Sequence, residues 1–389
     1  MKKDIVIIGG GAIGAATAYY LKSMDPLVQV TVIERDPSYL LASTPRAAGG
    51  VRRLFTTPEN IELSNYSIPM FETFDEDMSI DGEKANIAFK KFGYLFIVPP
   101  KDVENLKRNI EIQQNMGCHV IWMDPADLAA KWPSMFVDDL GAATYSPDDG
   151  WLDPHAVLIG YRKKAISLGV EFIADEVVNL EVANGLVTKA ILKSGQNVIA
   201  HHFVNAAGAW AKDLAMMLGF KIPIEPMRRF EHYWESLEPL EPTPMPYLKD
   251  PDRLAFRSEG AGYTGGVPTL NEPRGYNFEI DSRYFDEVVW PALAHRFPKF
   301  ERLRLLNTLP GLYDQNDFDG NMVIGPITGG PQNFHLLSGY SGHGLMHAPG
   351  SGRAMAELLL TGKYQTIDLT RFSYDRIANN KPLRETGII

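Results

Sequence analysis

The residues best able to do chemistry fall into three groups. The first is Gly9-Gly10-Gly11-Ala12-Ile13-Gly14, a G-x-G-x-x-G run with Glu34 placed 20 residues beyond Gly14. In this spacing Gly9 permits a tight turn, Gly11 lets a pyrophosphate approach the backbone beside Ala12 and Ile13, and Gly14 lets a helix and a strand close up. Glu34 then accepts hydrogen bonds from ribose hydroxyls. The second group is the stretch Leu41 to Arg53, small residues interleaved with Arg46, Arg52 and Arg53. Arginine's planar fork suits a carboxylate. The third is Gly339 to Met346, where glycines flank His343. A helix starting near Gly344 to Met346 offers free N–H groups to negative charge.

The elements that must position these groups are legible nearby. Residues 4–8 are β-branched and bounded by glycine, as a buried parallel strand should be, and Ala15 to Leu21 is helix-forming. Gln29 to Ile33 reads as the second strand, ending on Glu34. An acid at that tip favours a free ribose over a 2′-phosphate, leaving FAD and NAD open and disfavouring NADP. A nicotinamide dehydrogenase would continue in βαβ units of about 30 residues. Instead Leu41 to Arg53 has no clean period and suits a loop lying flat against a ring system.

That loop resembles the flavin-facing loop of the D-amino-acid oxidase/sarcosine oxidase (DAO) family of FAD enzymes. Phe203 to Trp210 (FVNAAGAW) resembles the family's strand returning to the nucleotide domain, and Gly339 to Met346 its flavin-closing turn before the last long helix. The likeness spans residues 4 to about 373. Within the family it is nearest to the FAD-dependent oxidoreductase domain-containing assembly factor of mitochondrial complex I and its bacterial relatives, carried by Gly311 to Asn321, Ile324-Gly325-Pro326 and Tyr364 to Leu369.

The resemblance implies an α/β (α+β overall) fold: a Rossmann-like FAD-binding domain, 1–80, 145–221 and 311–389, interleaved with a mixed-sheet substrate domain, 81–144 and 222–310, that roofs the flavin. It adds Arg35, Ser43, Thr44, Ala47, Ala48, Gly49, Val178, Ala207, Gly208, Trp210, Gly311, Gly342, Gly344, Leu345 and Met346 as cofactor contacts. Arg52, Arg46, His343 and Tyr263 are the implied catalytic candidates, with Tyr276 and Arg257 as further roof residues. Arg53 reads as a surface or domain-interface residue. Asp153-Pro154 opens a helix to about Leu168, Val170 to Val204 reads as a meander with turns at Asn184-Gly185 and Ser194-Gly195, and Tyr284 to Phe297 as an amphipathic helix.

Departures from the family limit the activity. Where sarcosine oxidases tether FAD through cysteine stand Gly311 and Leu312, and where related dehydrogenases use histidine stand Pro45 and Arg46, so noncovalent FAD is expected. Met346 and Gly262-Tyr263-Thr264 occupy the places of two family lysines, which weakens both N-methylglycine as substrate and oxygen as acceptor. The expected activity is oxidation of a secondary or primary amino acid to an imine that hydrolyses, with oxygen or an electron carrier as acceptor. A hydroxy-acid or glycerol-phosphate dehydrogenase, and a flavoprotein acting mainly in partner assembly, are the alternatives.

Composition sets the outer bounds. The chain has 389 residues, 45% hydrophobic and 22% charged, with 38 Lys+Arg against 48 Asp+Glu for a formal net charge of −10. Such a surface has no general attraction for nucleic acid or anionic lipid, and no basic patch interrupts it. The single cysteine, Cys118, allows no internal disulfide and no Cys-based metal site, fitting a reducing compartment. Lys2 and Lys3 before an uncharged run superficially resemble a leader, but Asp4 and the glycines oppose that reading and no stretch approaches a membrane span, so a cytoplasmic protein is expected. Homo- or hetero-oligomerisation is left open.

Overall fold

The computed structural model describes residues 4–269 and 271–386; the lysine pair at 2 and 3 falls outside them. Its strands are β1 (Asp4–Ile8), β2 (Gln29–Glu34), β3 (Gly50–Val51), β4 (Tyr94–Val98), β5 (Ile121–Met123), β6 (Ala142–Ser146), β7 (Gly150–Trp151), β8 (Glu171–Ala174), β9 (Val177–Ala183), β10 (Leu186–Leu192), β11 (Asn197–Val198), β12 (His202–Asn205), β13 (Ile224–Ser236), β14 (Tyr247–Lys249), β15 (Ala255–Glu259), β16 (Gly262–Gly266), β17 (Leu303–Asn316), β18 (Val323–Pro326) and β19 (Phe334–Ser338). The helices are α1 (Ala12–Met24), α2 (Pro58–Asp77), α3 (Val103–Asn115), α4 (Pro125–Lys131), α5 (Pro154–Ser167), α6 (Ala211–Met217), α7 (Trp290–Arg296), α8 (Gly344–Thr361) and α9 (Asp375–Ala378).

Two large sheets organise these elements. A six-stranded sheet runs β18-β19-β12-β1-β2-β8, parallel except for the β18–β19 pair, and an eight-stranded mixed sheet runs β17-β13-β16-β15-β14-β4-β6-β5. In the first sheet Ile5, Ile7, Val30, Val32 and Val204 are buried against α1 and α8, and Val6, Ile8, Ile33 and Phe203 are buried on the other face with α6, which is why β1 is apolar from Ile5 to Ile8. The ends of β1 and β2, Ile8 and Ile33, lie in register, so Gly9 and Glu34 emerge side by side.

The eight-stranded sheet separates its two faces by strand alternation. Leu95, Ile97, Trp234, Leu248, Phe256 and Tyr263 form an apolar core with Leu293, Phe297 and Phe300. Arg296, fully buried beside that core, bonds Asp250 at 2.5 Å and Asp139 at 2.8 and 2.9 Å. The opposite face, toward the first sheet, carries polar and aromatic side chains.

Two expectations about local structure need correction. Val170 to Val204 is not one meander: β8 pairs with β2 and β12 with β1 in the parallel sheet, leaving only β9, β10 and β11 antiparallel to one another. Tyr284 to Phe297 is not one regular helix, because Phe285–Val289 forms a wider π turn before α7. Pro291 in the first turn of α7 lacks an N–H, and the widened turn ahead of it accommodates that loss.

The helices α1 and α8 approach each other where a glycine leaves room. A Cβ on Gly352 would lie 2.9 Å from the backbone of Ala16 and Thr17, so any side chain there must push two helices apart. Gly352→Val should lower the stability of the FAD-free protein by about 1–3 kcal/mol, seen as a lower urea midpoint. An unchanged midpoint would show that this contact is not close-packed.

Candidate active site

An elongated cleft with about 1570 Å³ of empty space, counting its open mouth, runs along the C-terminal ends of the parallel strands. This is the crevice where open α/β sheets bind nucleotides. Gly9 has φ +103°, and a Cβ there would lie 2.4 Å from the carbonyl oxygen of Ala206; one on Gly14 would lie 2.0 Å from that of Gly9. Both positions therefore demand glycine. At Gly11 a Cβ would meet only the Thr44 hydroxyl, at 3.8 Å, and otherwise project into open space. The first turn of α1 thus presents its backbone to the cleft, and Ala12 N–H donates to Thr44 Oγ1 at 3.4 Å. Glu34 accepts from the Gly10 N–H at 2.8 Å and the Asp36 N–H at 2.9 Å, fixing its carboxylate at the edge, where burial pushes its pKa up.

The far end of the cleft is aromatic. Arg35 lies 3.7 Å over the Trp210 ring, Tyr276 stacks on Trp210 at 5.5 Å and 7°, and the Tyr276 hydroxyl donates to Asp213 at 2.5 Å. Ser43, Thr44, Ala47, Ala207, Gly208, Gly311, Gly342, Gly344 and Leu345 line the cleft. Val178 does not: it is 46% exposed, and its neighbour Val177 lines the cleft, one step out of phase along β9. Ala48, Gly49 and Met346 are also set back. The Ala48 carbonyl accepts from Arg257 Nε at 2.7 Å, Gly49 has φ +77° against the Leu152 carbonyl, and Met346 is buried in the core.

The four catalytic candidates are not brought together. Tyr263 belongs to the apolar face of the mixed sheet, its hydroxyl accepting from the Leu240 N–H at 2.8 Å, so alternation along β16 points it away from the cleft. Arg46 donates to the carbonyls of Leu40, at 2.9 Å, and Pro310, which ties the loop to β17. Arg53 pairs with the buried Asp149 at 2.9 Å, consistent with an interface role. Arg52 and His343 do meet: Arg52 Nη2 lies 3.5 Å from His343 Nε2, and both are buried beside the Gly342–Gly344 wall.

Arg52 is 3% exposed and forms no ion pair among the described residues. It donates to the Leu54 carbonyl at 2.6 Å and sits over the rings of Phe55 and Phe96, at 4.0 and 5.2 Å. The carboxylates whose charge reaches it are committed elsewhere. Asp149 accepts from Arg53, and Glu385 accepts from the backbone of Thr56 and Thr57 at the start of α2. His343, the residue before α8, is held neutral by burial and by the positive charge of Arg52, with Nδ1 unpartnered.

Sequence reasoning missed the polar face of the mixed sheet. Tyr94 and Tyr247, paired across β4 and β14, stack at 4.5 Å and 6°, and a Cβ on Gly50 would strike the Tyr94 hydroxyl at 2.1 Å. The loop bearing Arg52 therefore lies directly on this face. Arg229, Glu231, Lys249 and Tyr313 share the region, and burial lifts the Glu231 carboxyl to about 7 while it accepts from Thr264 Oγ1 at 2.7 Å.

This cleft, glycine-cradled at one end and roofed by a polar sheet face at the other, matches what comparison with known proteins returns. The DAO profile, described as FAD dependent oxidoreductase, matches residues 4–358. The chain belongs to the DAO family of FAD-dependent oxidoreductases. It is 34% identical to FAD-dependent oxidoreductase domain-containing protein 1 of Xenopus laevis, over 100% of this chain and 85% of that protein. It is 24% identical to sarcosine oxidase subunit beta of an Arthrobacter species, over 99% of this chain and 93% of that protein. Among solved structures, L-proline dehydrogenase from P. horikoshii superposes with TM-score 0.88 at 26% identity, covering 98% of this chain and 99% of that one.

The residues present fit FAD. The open backbone at Gly11 would receive the pyrophosphate, Glu34 a ribose, the Arg35–Trp210 end the adenine, and the start of α8 the flavin. No group of three His, Cys, Asp or Glu side chains among the described residues could hold a metal ion, and none of their helices is long and apolar enough to cross a membrane. Gly11→Val should place a side chain where the pyrophosphate must approach, giving a protein with unchanged far-ultraviolet circular dichroism that purifies colourless. A yellow Gly11→Val protein would remove this turn from the cofactor site.

Proposed function

We propose that this oxidoreductase acts on the C–N bond of a small secondary or primary amino acid, yielding an imine that water hydrolyses. The observation that carries this reading is Arg52: a buried guanidinium with no carboxylate partner among the described residues, next to the turn that opens α8. An uncompensated buried charge is costly, and a substrate carboxylate would relieve that cost through charge-assisted bonds. Two of the similar proteins bear the names of enzymes that act on proline and sarcosine, both secondary amino acids, which supports the same class.

FAD, when bound, would supply a two-electron acceptor for the hydride of the carbon next to the substrate nitrogen. The chain's own task is to orient that carbon and hold charge. Arg52 binds the carboxylate, the phenyl rings of Phe55 and Phe96 exclude water around it, and His343 stays uncharged so that it adds no repulsion to an ammonium or a guanidinium. The first N–H groups of α8, free by geometry, face the cleft at Gly344 and Leu345 and can stabilise negative charge there.

Anaerobic mixing with N-alkylated, D-, L- and cyclic amino acids should bleach the flavin spectrum, and readmitted oxygen should reveal by its rate whether oxygen is the acceptor. Bleaching by hydroxy acids alone would contradict the amine reading. Arg52→Met should keep or raise the melting temperature, because an apolar side chain replaces an unpaired buried charge, while weakening carboxylate ligands by about 1.5–3 kcal/mol. Equal ligand affinity in Arg52→Met would take Arg52 out of the site. Among the described residues no cysteine or histidine lines the cleft, so acid precipitation should leave a white pellet and a yellow supernatant.

A further inference from the structure

Strand β14 places Lys249 where nothing in the fold answers its charge. Tyr247 and Lys249 alternate with Leu248, which is buried in the apolar core, so Lys249 shares the polar face with Tyr247. Across the parallel pairing Tyr247 meets Tyr94 and Lys249 meets Phe96. The Tyr94–Tyr247 ring stack shows that paired residues stand on the same side. Phe96 is also the ring over which the Arg52 guanidinium sits, at 5.2 Å. Lys249 and Arg52 therefore flank one phenyl ring from two different elements.

Outside the sheet ladder, the Lys249 ammonium makes no hydrogen bond or ion pair with any described residue. Its neighbour Asp250 points to the other side of the sheet and is taken up by Arg296 at 2.5 Å. The charges nearest the ammonium are Arg52 and Arg229, both positive, and its charge in turn reaches His343. Burial first, and then these two guanidinium groups, hold the Lys249 ammonium down to about 7. Three cations so placed destabilise one another unless an anion joins them.

We propose that Lys249 and Arg52 form a two-armed carboxylate site over the Phe96 ring, Lys249 being the second arm that binds the substrate's carboxylate. The inference rests on the amino-acid reading above and deepens it. The ligand class is a small monocarboxylate: the clamp offers two cations, and the walls beside it, Phe55, Phe96 and Tyr247, are aromatic. Neither arm is visible as a pair in the sequence, since nearly 200 residues separate them.

Protonation gives the site a signature. The titratable groups around the clamp are Arg52 and Arg229, which remain charged, and His343 and His347, which burial keeps neutral. Burial also keeps Tyr94, Tyr247 and Tyr313 protonated, and it brings Glu231 to about 7. A bound carboxylate favours the Lys249 ammonium and so raises its pKa. Binding is then coupled to proton uptake: affinity is full below pH 7 and falls as pH rises above it.

The test is calorimetric titration of the FAD-loaded protein with pyrrole-2-carboxylate, a carboxylate that cannot lose hydride from a saturated carbon next to nitrogen. Wild type should bind it, with affinity falling above pH 7. Lys249→Met should bind about tenfold to a hundredfold more weakly, with FAD content and melting temperature retained. Lys249→Arg should restore most of the affinity and flatten the pH dependence, any residual slope belonging to Glu231.

Equal affinity in wild type and Lys249→Met, with Arg52→Met impaired, overturns the second arm and leaves the amino-acid reading intact. If Lys249→Met fails to fold, a Lys249→Arg protein with the wild-type pH dependence overturns it instead. A wild type that binds no carboxylate overturns both.

Discussion

Close backbone approach at a few glycines is the constraint on which the rest of this molecule depends. Gly9 and Gly14 let β1 turn into α1 with no intervening side chain, and Gly352 lets α8 lie against α1. Gly342 completes the set, since a Cβ there would fall 2.6 Å from the Tyr313 ring. Together these contacts aim the N-terminal ends of two helices into one cleft. Exposed backbone N–H groups at both ends of an extended site are what an anionic dinucleotide cofactor requires.

The electrostatics of the cleft follow from which charges the fold leaves unpaired. Its carboxylates are spent on structure: Glu34 holds the glycine turn, and Asp314, lifted by burial to about 6, accepts from the Gly339 and Tyr340 N–H groups at 2.7 and 3.1 Å. Asp149 and Glu385 are likewise occupied. Two cations near the cleft are not: among the described residues no acid pairs with Arg52 or Lys249. Arg52 and Lys249 lie outside the lining of the cleft, on the polar sheet face beside the Gly342 to Gly344 turn, a dry setting where each charge counts for more than it would in water.

What was legible in the sequence was local. The strand, glycine turn, helix, strand and terminal acid of residues 4–34 are set by propensity and spacing within a short window; both strands appear within a residue of expectation, while the helix, read as Ala15 to Leu21, extends three residues further at each end. The helix opened by Asp153 and Pro154 is equally local, with the Asp153 side chain capping the Ala156 N–H at 3.0 Å. Phase was harder. Tyr263 and Val178 each sit one residue out of step with the cleft: β16 is buried along nearly its whole length and carries no polar alternation to say which side is which, while in β9 the adjacent pair Val177-Val178 gives the cleft-facing and the exposed position the same residue type. Lys249 was invisible for a related reason: a lysine in a three-residue strand reads as solvated until the sheet face above it is known to be covered by the Gly50 to Phe55 loop. The Phe203 to Trp210 and Gly339 to Met346 turns, by contrast, were legible through their resemblance to motifs of the family.

The most direct test of a cationic, carboxylate-binding end to the FAD cleft is a crystal structure of the FAD-loaded protein with pyrrole-2-carboxylate bound. The prediction is a carboxylate bridging Arg52 and Lys249 above Phe96, close to the Gly342 to Gly344 turn. A structure in which Arg52 instead pairs with Asp149 or Glu385, and the ligand lies elsewhere, would contradict it.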